Sequence, residues 1–234
     1  MLSQVATPTT EASPEAQTNQ ALPANVDLRE RLLAWQLPPR PQGARGTCSI
    51  FTVTSALEFA LAKRGEPLRL SPEFVNWAAS QAGGAPSDGN FFHNALAGFE
   101  RFGACSDERW PYRAAFDATL APDAEALAEA AALRDRTHGA FAVHWIVPWV
   151  PDRFGVDDAQ FAEFQSVLAR GFPVAAGSVH SRLLVGFRDD AAAPGGGVFV
   201  TLDSALARFD TVSYEFVRRE VADAFWIEAL ATGG

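Results

Sequence analysis

The sequence predicts an α+β fold. Apolar residues recur at helical spacing through the first half of the chain. Short alternating or continuous apolar runs fill the second half, and Gly or Pro closes most of them. A run of helices followed by a run of strands gives a helical part and a sheet part, rather than alternating βαβ units.

The elements follow in order. Cys48 to Arg64 places Ile50, Val53, Leu57, Ala60 and Leu61 at helical spacing and stops at Gly65. Ser71 caps a second helix, with Pro72 at its first position. Phe91, Phe92, Ala95, Phe99 and Phe102 form the buried face of a third, closed by Gly103. Asp123 to Arg134 is alanine-rich and reads as a surface helix. Phe141 to Val147 is a strand. Asp157 or Asp158 caps the next helix, which turns Phe161, Phe164, Val167 and Leu168 inward and ends at Gly171. Strands are expected at Val174–Gly177, Arg182–Phe187, Val198–Leu202, Val212–Val217 and Phe225–Leu230. Gly195-Gly196-Gly197 follows a proline and leads into a strand, so it is a hairpin loop and not a phosphate-binding turn before a helix. No internal repeat is visible.

Composition narrows the function. A formal charge of −9 without clustered Lys or Arg argues against nucleic-acid binding. No run of about twenty apolar residues is present, which argues against a membrane span. Residues 1–20 lack the basic start and apolar run of a secretory signal and are expected to form a disordered tail. Two cysteines and four scattered histidines show no zinc-ligand spacing, so no metal and no cofactor are expected. The low cysteine content fits a reducing, cytoplasmic compartment. Cys105 reads as a small buried hydrophobe.

One segment carries chemistry. Gln42-Gly43-Ala44-Arg45-Gly46-Thr47-Cys48 runs straight into the first helical pattern. A helix N-terminus carries partial positive charge and unpaired N–H groups, which lower a thiol pKa and favour the reactive thiolate. The Cys48 backbone N–H and the Gln42 side-chain amide are candidate donors for an oxyanion. Gly43 and Gly46 allow the turn between them. His180 follows a short apolar strand; His93, His138 and His144 read as structural or surface residues.

This segment resembles the active-site stretch of the papain-like cysteine peptidases. The match includes the glutamine six positions before the cysteine, the glycine two before it and the phenylalanine three after it. Four other pieces fall in the family's order. Leu22-Pro23-Ala24-Asn25-Val26-Asp27 resembles the start of the mature domain, although Leu28 stands where a tryptophan is usual. Leu70-Ser71-Pro72-Glu73 resembles the next helix entry. Gly103 to Tyr112 is similar to the glycine-to-"YPY" segment of bacterial relatives. Gly171-Phe172-Pro173-Val174, His180 and Val185-Gly186-Phe187 resemble the "GPV…H…VGY" region. The resemblance covers about residues 22–230.

The resemblance implies a two-lobe fold over residues 21–234. A helical lobe (about 48–135) would carry Cys48, a β-barrel-like lobe (about 21–47 and 136–234) would carry His180, and the site would lie in the cleft between them. It implies Cys48 as nucleophile, His180 as general acid/base and Gln42 as oxyanion donor. The usual Asn-Ser-Trp-Gly is replaced by Asp203-Ser204-Ala205-Leu206. Asp203 therefore takes the orienting place, and loss of the tryptophan is expected to leave the His–Asp contact wetter. Asp203→Ala is expected to slow turnover about tenfold or more, and Asp203→Asn, which restores the family's residue, to be milder than that. Ser49 replaces the aromatic residue that usually follows the cysteine, and Arg45 stands where a disulfide-forming cysteine is usual. Ser87-Asp88-Gly89-Asn90 fits the turn that binds a substrate backbone, with Gly89 and Asn90 as contacts and Asp88 as a helix cap. The implied activity is thiol-dependent hydrolysis of a peptide or protein substrate, with control by a regulatory partner in the absence of an inhibitory propeptide. A degenerate peptide-binding domain or a thiol acyltransferase using the same residues are the alternatives.

Overall fold

The structure, a computed structural model, describes residues 22–230; the expected tail at 1–20 lies outside them. Seven α-helices and seven strands are found among the described residues. The order is β1 (Asn25–Asp27), α1 (Arg29–Ala34), α2 (Cys48–Lys63), α3 (Pro72–Gly83), α4 (Phe92–Phe102), α5 (Ala124–Thr137), β2 (Phe141–Val147), α6 (Asp158–Ala169), β3 (Val174–Gly177), β4 (Arg182–Asp189), β5 (Gly197–Asp203), β6 (Arg208–Ser213), α7 (Tyr214–Glu220) and β7 (Asp223–Ala229). No described helix is long and apolar enough to cross a membrane.

The strands form one open antiparallel sheet in the order β2-β7-β3-β4-β5-β6. β3 pairs with the first half of β4, and β1 pairs with its second half, Gly186–Arg188. Gly186 is required there, because a Cβ would run into the Val26 carbonyl.

Helix α2 is the axis of the molecule. Every residue from Ile50 to Ala62 is buried, and the helix packs on β3, β4 and β7 as well as on α3 and α4. Such a helix is apolar on all sides, not amphipathic. Its one buried charge, Glu58, accepts hydrogen bonds from Arg40 (2.7 Å) and the Leu70 N–H (2.8 Å), so the carboxylate is answered inside the core.

Local capping explains the other boundaries. Ser71 accepts from the Phe74 N–H, and Asp123 from Ala126. Asp157 and Gln160 form a reciprocal capping box at α6. Two expectations need correction. Phe91 is the exposed N-cap of α4 and not part of its buried face. The strand expected over Val212–Val217 ends at Ser213, whose hydroxyl caps α7 by accepting from the Phe216 N–H. Tyr214 and Val217 are both buried, a helical spacing that competed with the alternation of Val212, Tyr214 and Phe216.

Asp223, at the start of β7, is a buried carboxyl opposite Gly177 of β3 and beside Phe92. Burial alone pushes it from 3.8 up to about 6. Because the folded state holds this proton more tightly than the unfolded chain, its contribution to stability is full below about pH 4 and is lost as pH rises through about 6. The loss is on the order of 3 kcal/mol. Asp223→Asn is expected to raise stability at pH 8 relative to the parent by up to about that amount, and to leave it little changed at pH 4. Urea midpoints of the two proteins at both pH values check this; a difference independent of pH would refute it.

Candidate active site

The loop before α2 is held on both sides. The Gln42 backbone N–H donates to the Ser204 carbonyl (2.9 Å), and the Ser204 hydroxyl donates back to Gln42 Oε1 (2.7 Å). Gln42 Nε2 uses one hydrogen on the Arg45 carbonyl (2.8 Å), which leaves its second N–H uncommitted. The Tyr112 hydroxyl donates to the Gln42 carbonyl (3.0 Å) and shares a hydrogen bond with Thr47 Oγ1 (2.6 Å). Gly43 supplies a positive φ of 66° for the turn.

Arg45 is 5% exposed, and it bonds Glu73 (2.6 Å), Asp88 (2.8 Å) and the Arg113 carbonyl (3.0 Å) while stacking on Tyr112. It thus ties the loop before α2 to α3 and to the turn before α4 by charge. Asp88, expected to cap a helix, is instead half of this ion pair. Gly89 is needed for a different reason from a ligand contact: at φ +92°, a Cβ there would run into the Gly46 carbonyl. Its N–H donates to Asn76 Oδ1, and the Asn90 carbonyl accepts from the Ser49 hydroxyl. The residue that replaces the family's aromatic therefore fastens this turn to the first turn of α2.

Cys48 opens α2 and is partly exposed, with its thiol free. Burial pushes this thiol up. Hydrogen bonding to His180 and to the backbone and side chain of Ser181 outweighs burial and holds it below the ordinary thiol range. The imidazole stands in the tight turn between β3 and β4, where Ser178 Oγ accepts from the His180 N–H and donates to its carbonyl. Contact with the Cys48 thiol raises the His180 pKa, burial lowers it and Asp203 raises it again; the net direction is upward. His180 Nε2 lies 3.0 Å from Asp203 Oδ1, which leaves Nδ1 as the ring nitrogen available to the thiol.

Asp203, the last residue of β5, is 1% exposed. Its bond to His180 is buried at the carboxylate end, while the imidazole keeps 19% side-chain exposure. Arg182 closes one side, with Nε 2.9 Å from Asp203 Oδ2 and the guanidinium over the Phe216 ring. The Ala205 and Leu206 N–H groups close the other, at 2.9 and 3.0 Å from Oδ1. Burial pushes this carboxyl up, but His180, the Leu206 N–H and Arg182 hold it below the usual carboxylate range.

The structure thus brings Cys48, His180, Asp203 and Gln42 together, with Gly89 and Asn90 on the neighbouring turn. Sequence reasoning missed Arg182, Ser181 and Ser204. Arg182 had only a weak signal, a charged residue at the start of β4 two positions after His180. Cys105 is a free, fully buried thiol pushed up to about 12, so no bridge joins it to Cys48. His144 stacks on Trp226 and bonds Glu228, and His93 stacks on Phe91. Among the described residues, no group of three His, Cys, Asp or Glu is placed to hold a metal.

Solved structures share this architecture. Digestive procathepsin L 3 from the larval midgut of Tenebrio molitor superposes with a TM-score of 0.67 at 18% identity, over 92% of this chain and 73% of that one. Xylellain, a cysteine protease from Xylella fastidiosa, gives 0.71 at 16% identity, over 94% and 91%. The proform of the ragweed pollen allergen Amb a 11, a cysteine protease, gives 0.65 at 15% identity, over 92% and 69%. No protein-family model matches the sequence, and no curated protein matches it. At these identities the likeness is one of fold, and the fold is papain-like.

The Arg45–Glu73 pair is the clearest test of how the loop before α2 is held. Removing either partner strands the other's charge in the interior. Arg45→Ala and Glu73→Ala should each cost about 3–5 kcal/mol of unfolding free energy, and the double variant less than their sum. Additive, small losses in urea unfolding would place the restraint elsewhere.

Proposed function

We propose that this chain hydrolyses peptide bonds, with Cys48 as nucleophile, His180 as general acid/base, Asp203 as orienting residue and Gln42 as oxyanion donor. The observation that carries this reading is the Cys48 thiol at a helix N-terminus, held below its ordinary pKa by an imidazole whose other nitrogen is fixed on a buried carboxylate. A thiol lowered and an imidazole raised by the same contact favour the thiolate–imidazolium pair.

The steps balance on these groups. The Cys48 sulfur attacks the carbonyl carbon, and the oxyanion accepts from the Cys48 backbone N–H and the spare Gln42 N–H. The imidazolium of His180 gives its proton to the leaving amine as the C–N bond breaks, which leaves a thioester. Water attacks the thioester while His180 takes its proton, and the acid and free thiol are released.

Substrate recognition in this reading uses the turn before α4. The Gly89 carbonyl and the Asn90 N–H have no partner among the described residues and would meet an extended chain as an added strand. Val179, 86% exposed beside His180, and Leu206, exposed beyond Asp203, would supply apolar contact. A groove of about 510 Å³ lined by Leu96, Phe99, Phe141 and Val143 lies apart from these residues and has no part in this reading. In this reading the α2–α5 helices and the sheet act as two lobes. Free thiols support a reducing, cytoplasmic setting, and a regulatory partner would restrain the activity.

Turnover of a mixed peptide library, followed by mass spectrometry, tests the proposal. Cys48→Ala should abolish cleavage, and Gln42→Ala should lower kcat about 100-fold or more with a smaller change in KM. With a primary amine added, hydrolysis leaves mainly free acids, whereas mainly amide products would assign acyl transfer. Parent activity no higher than that of Cys48→Ala would leave a peptide-binding domain.

A further inference from the structure

Asp203 is surrounded by donors in a way that an amide could not match. Oδ1 accepts from His180 Nε2 (3.0 Å) and from the Ala205 and Leu206 N–H groups (2.9 and 3.0 Å). Oδ2 accepts from Arg182 Nε (2.9 Å). The same guanidinium donates through Nη1 to the His180 carbonyl (3.0 Å). Arg182 therefore grips both the carboxylate that holds the imidazole ring and the backbone that carries it.

We infer that Arg182 is a positioning residue that cancels the charge of Asp203, so that this aspartate serves His180 as a neutral acceptor, and that residues 182 and 203 work only as a matched pair. The inference rests on the thiol–imidazole reading of the site and deepens it.

Charge and donor geometry both carry the argument. A lone buried carboxylate beside an imidazole favours the imidazolium strongly and makes it a reluctant acid. A guanidinium on the far oxygen offsets that pull, and its fixed fork sets the carboxylate plane. Among the described residues, no other charge faces the ring to do this. The groups around His180 are Cys48 from α2, Asp203 from β5 and Arg182 from β4. Val212 of β6 and Phe216 and Val217 of α7 pack here and are apolar. The outer arginines of α7 are engaged elsewhere, Arg218 with Asp158 and Arg219 with Glu215. Asp223 of β7 lies behind Gly177. In direction, Asp203 raises the His180 pKa and Arg182 lowers it.

On this inference Asp203→Asn disrupts the site, although it restores the residue usual in the resembled family. An amide offers one acceptor oxygen and one NH₂ group. With its oxygen toward His180, the NH₂ confronts Arg182 Nε–H; flipped, it confronts three donors. Arg182 is left without a counter-charge in either case. Arg182→Gln keeps a donor for Asp203 Oδ2 but removes the charge. In the double variant the side-chain oxygen of the introduced glutamine accepts from the NH₂ of the introduced asparagine.

The test is a double-variant cycle on residues 182 and 203, read in two ways. In a Cys48→Ala background, where the imidazole titrates without the thiol, NMR of the His180 ring should give pKa values in the order R182Q above the parent, D203N below it by about one pH unit or more, and R182Q/D203N back near the parent. Arg182→Lys, which keeps the charge, should stay near the parent. With Cys48 present, D203N should lower peptide turnover about tenfold or more, and R182Q/D203N should recover most of that loss. The inference is overturned if R182Q leaves the His180 titration unmoved, or if the double variant is no better than D203N. If the titration order holds but the parent shows no turnover, the pairing stands and the peptidase reading fails.

Discussion

A carboxylate removed from water must have its charge and its lone pairs answered, and Asp203 imposes that demand at the end of β5. Four donors converge on it: an imidazole, a guanidinium and two backbone N–H groups. Each of them fixes another part of the molecule. The imidazole orientation sets the nitrogen offered to Cys48. The guanidinium locks the start of β4. The two N–H groups define the turn that carries Ser204 against Gln42. A buried charge with a full set of partners is specific in geometry even where its net contribution to stability is small.

The second restraint is the clamp on the loop that leads into Cys48. Gln42 is bound through its backbone and its side chain to Ser204, next in sequence to Asp203. Arg45 binds the same loop to Glu73 and Asp88 on its other side. The loop before α2 is thus suspended between the end of β5 and the start of α3. A helix start held this firmly keeps its N–H groups and the Cys48 thiol in place without reorganisation, the condition for electrostatic stabilisation of a transient oxyanion. Arg45 stands where the resemblance places a disulfide cysteine. A buried ion pair does comparable tethering in a chain whose two cysteines are both free.

Most of the fold was legible because its signals are local. Ser71-Pro72, Asp123 and Asp157 announce their helices by capping, and Phe141–Val147 reads as a strand from β-rich composition alone. The errors arose where two local patterns overlapped, as at Val212–Val217, or where an aromatic residue at a helix start faced solvent, as at Phe91. Cys48, His180, Asp203 and Gln42 were legible through the order and spacing of their motifs. Their supports were not. Asp88 to Arg45 and Gln42 to Ser204 are contacts between residues far apart in sequence, and nothing local specifies either partner. The surroundings of the His180–Asp203 bond were hidden for the same reason: the missing tryptophan is visible in the sequence, and the Arg182 guanidinium between Asp203 and Phe216 is not.

The central claim is that Cys48 and His180 share a proton as an ion pair, and the pH dependence of Cys48 alkylation tests it most directly. Iodoacetamide reports Cys48 alone, because Cys105 is fully buried and its thiol is pushed up to about 12. With the thiol held below 9.0 and the imidazole above 6.5, the second-order rate constant should rise with a first midpoint below 9.0 and change again, above pH 6.5, as His180 loses its proton. A single sigmoid with a midpoint near 9, at the rate of a free thiol, would contradict the account.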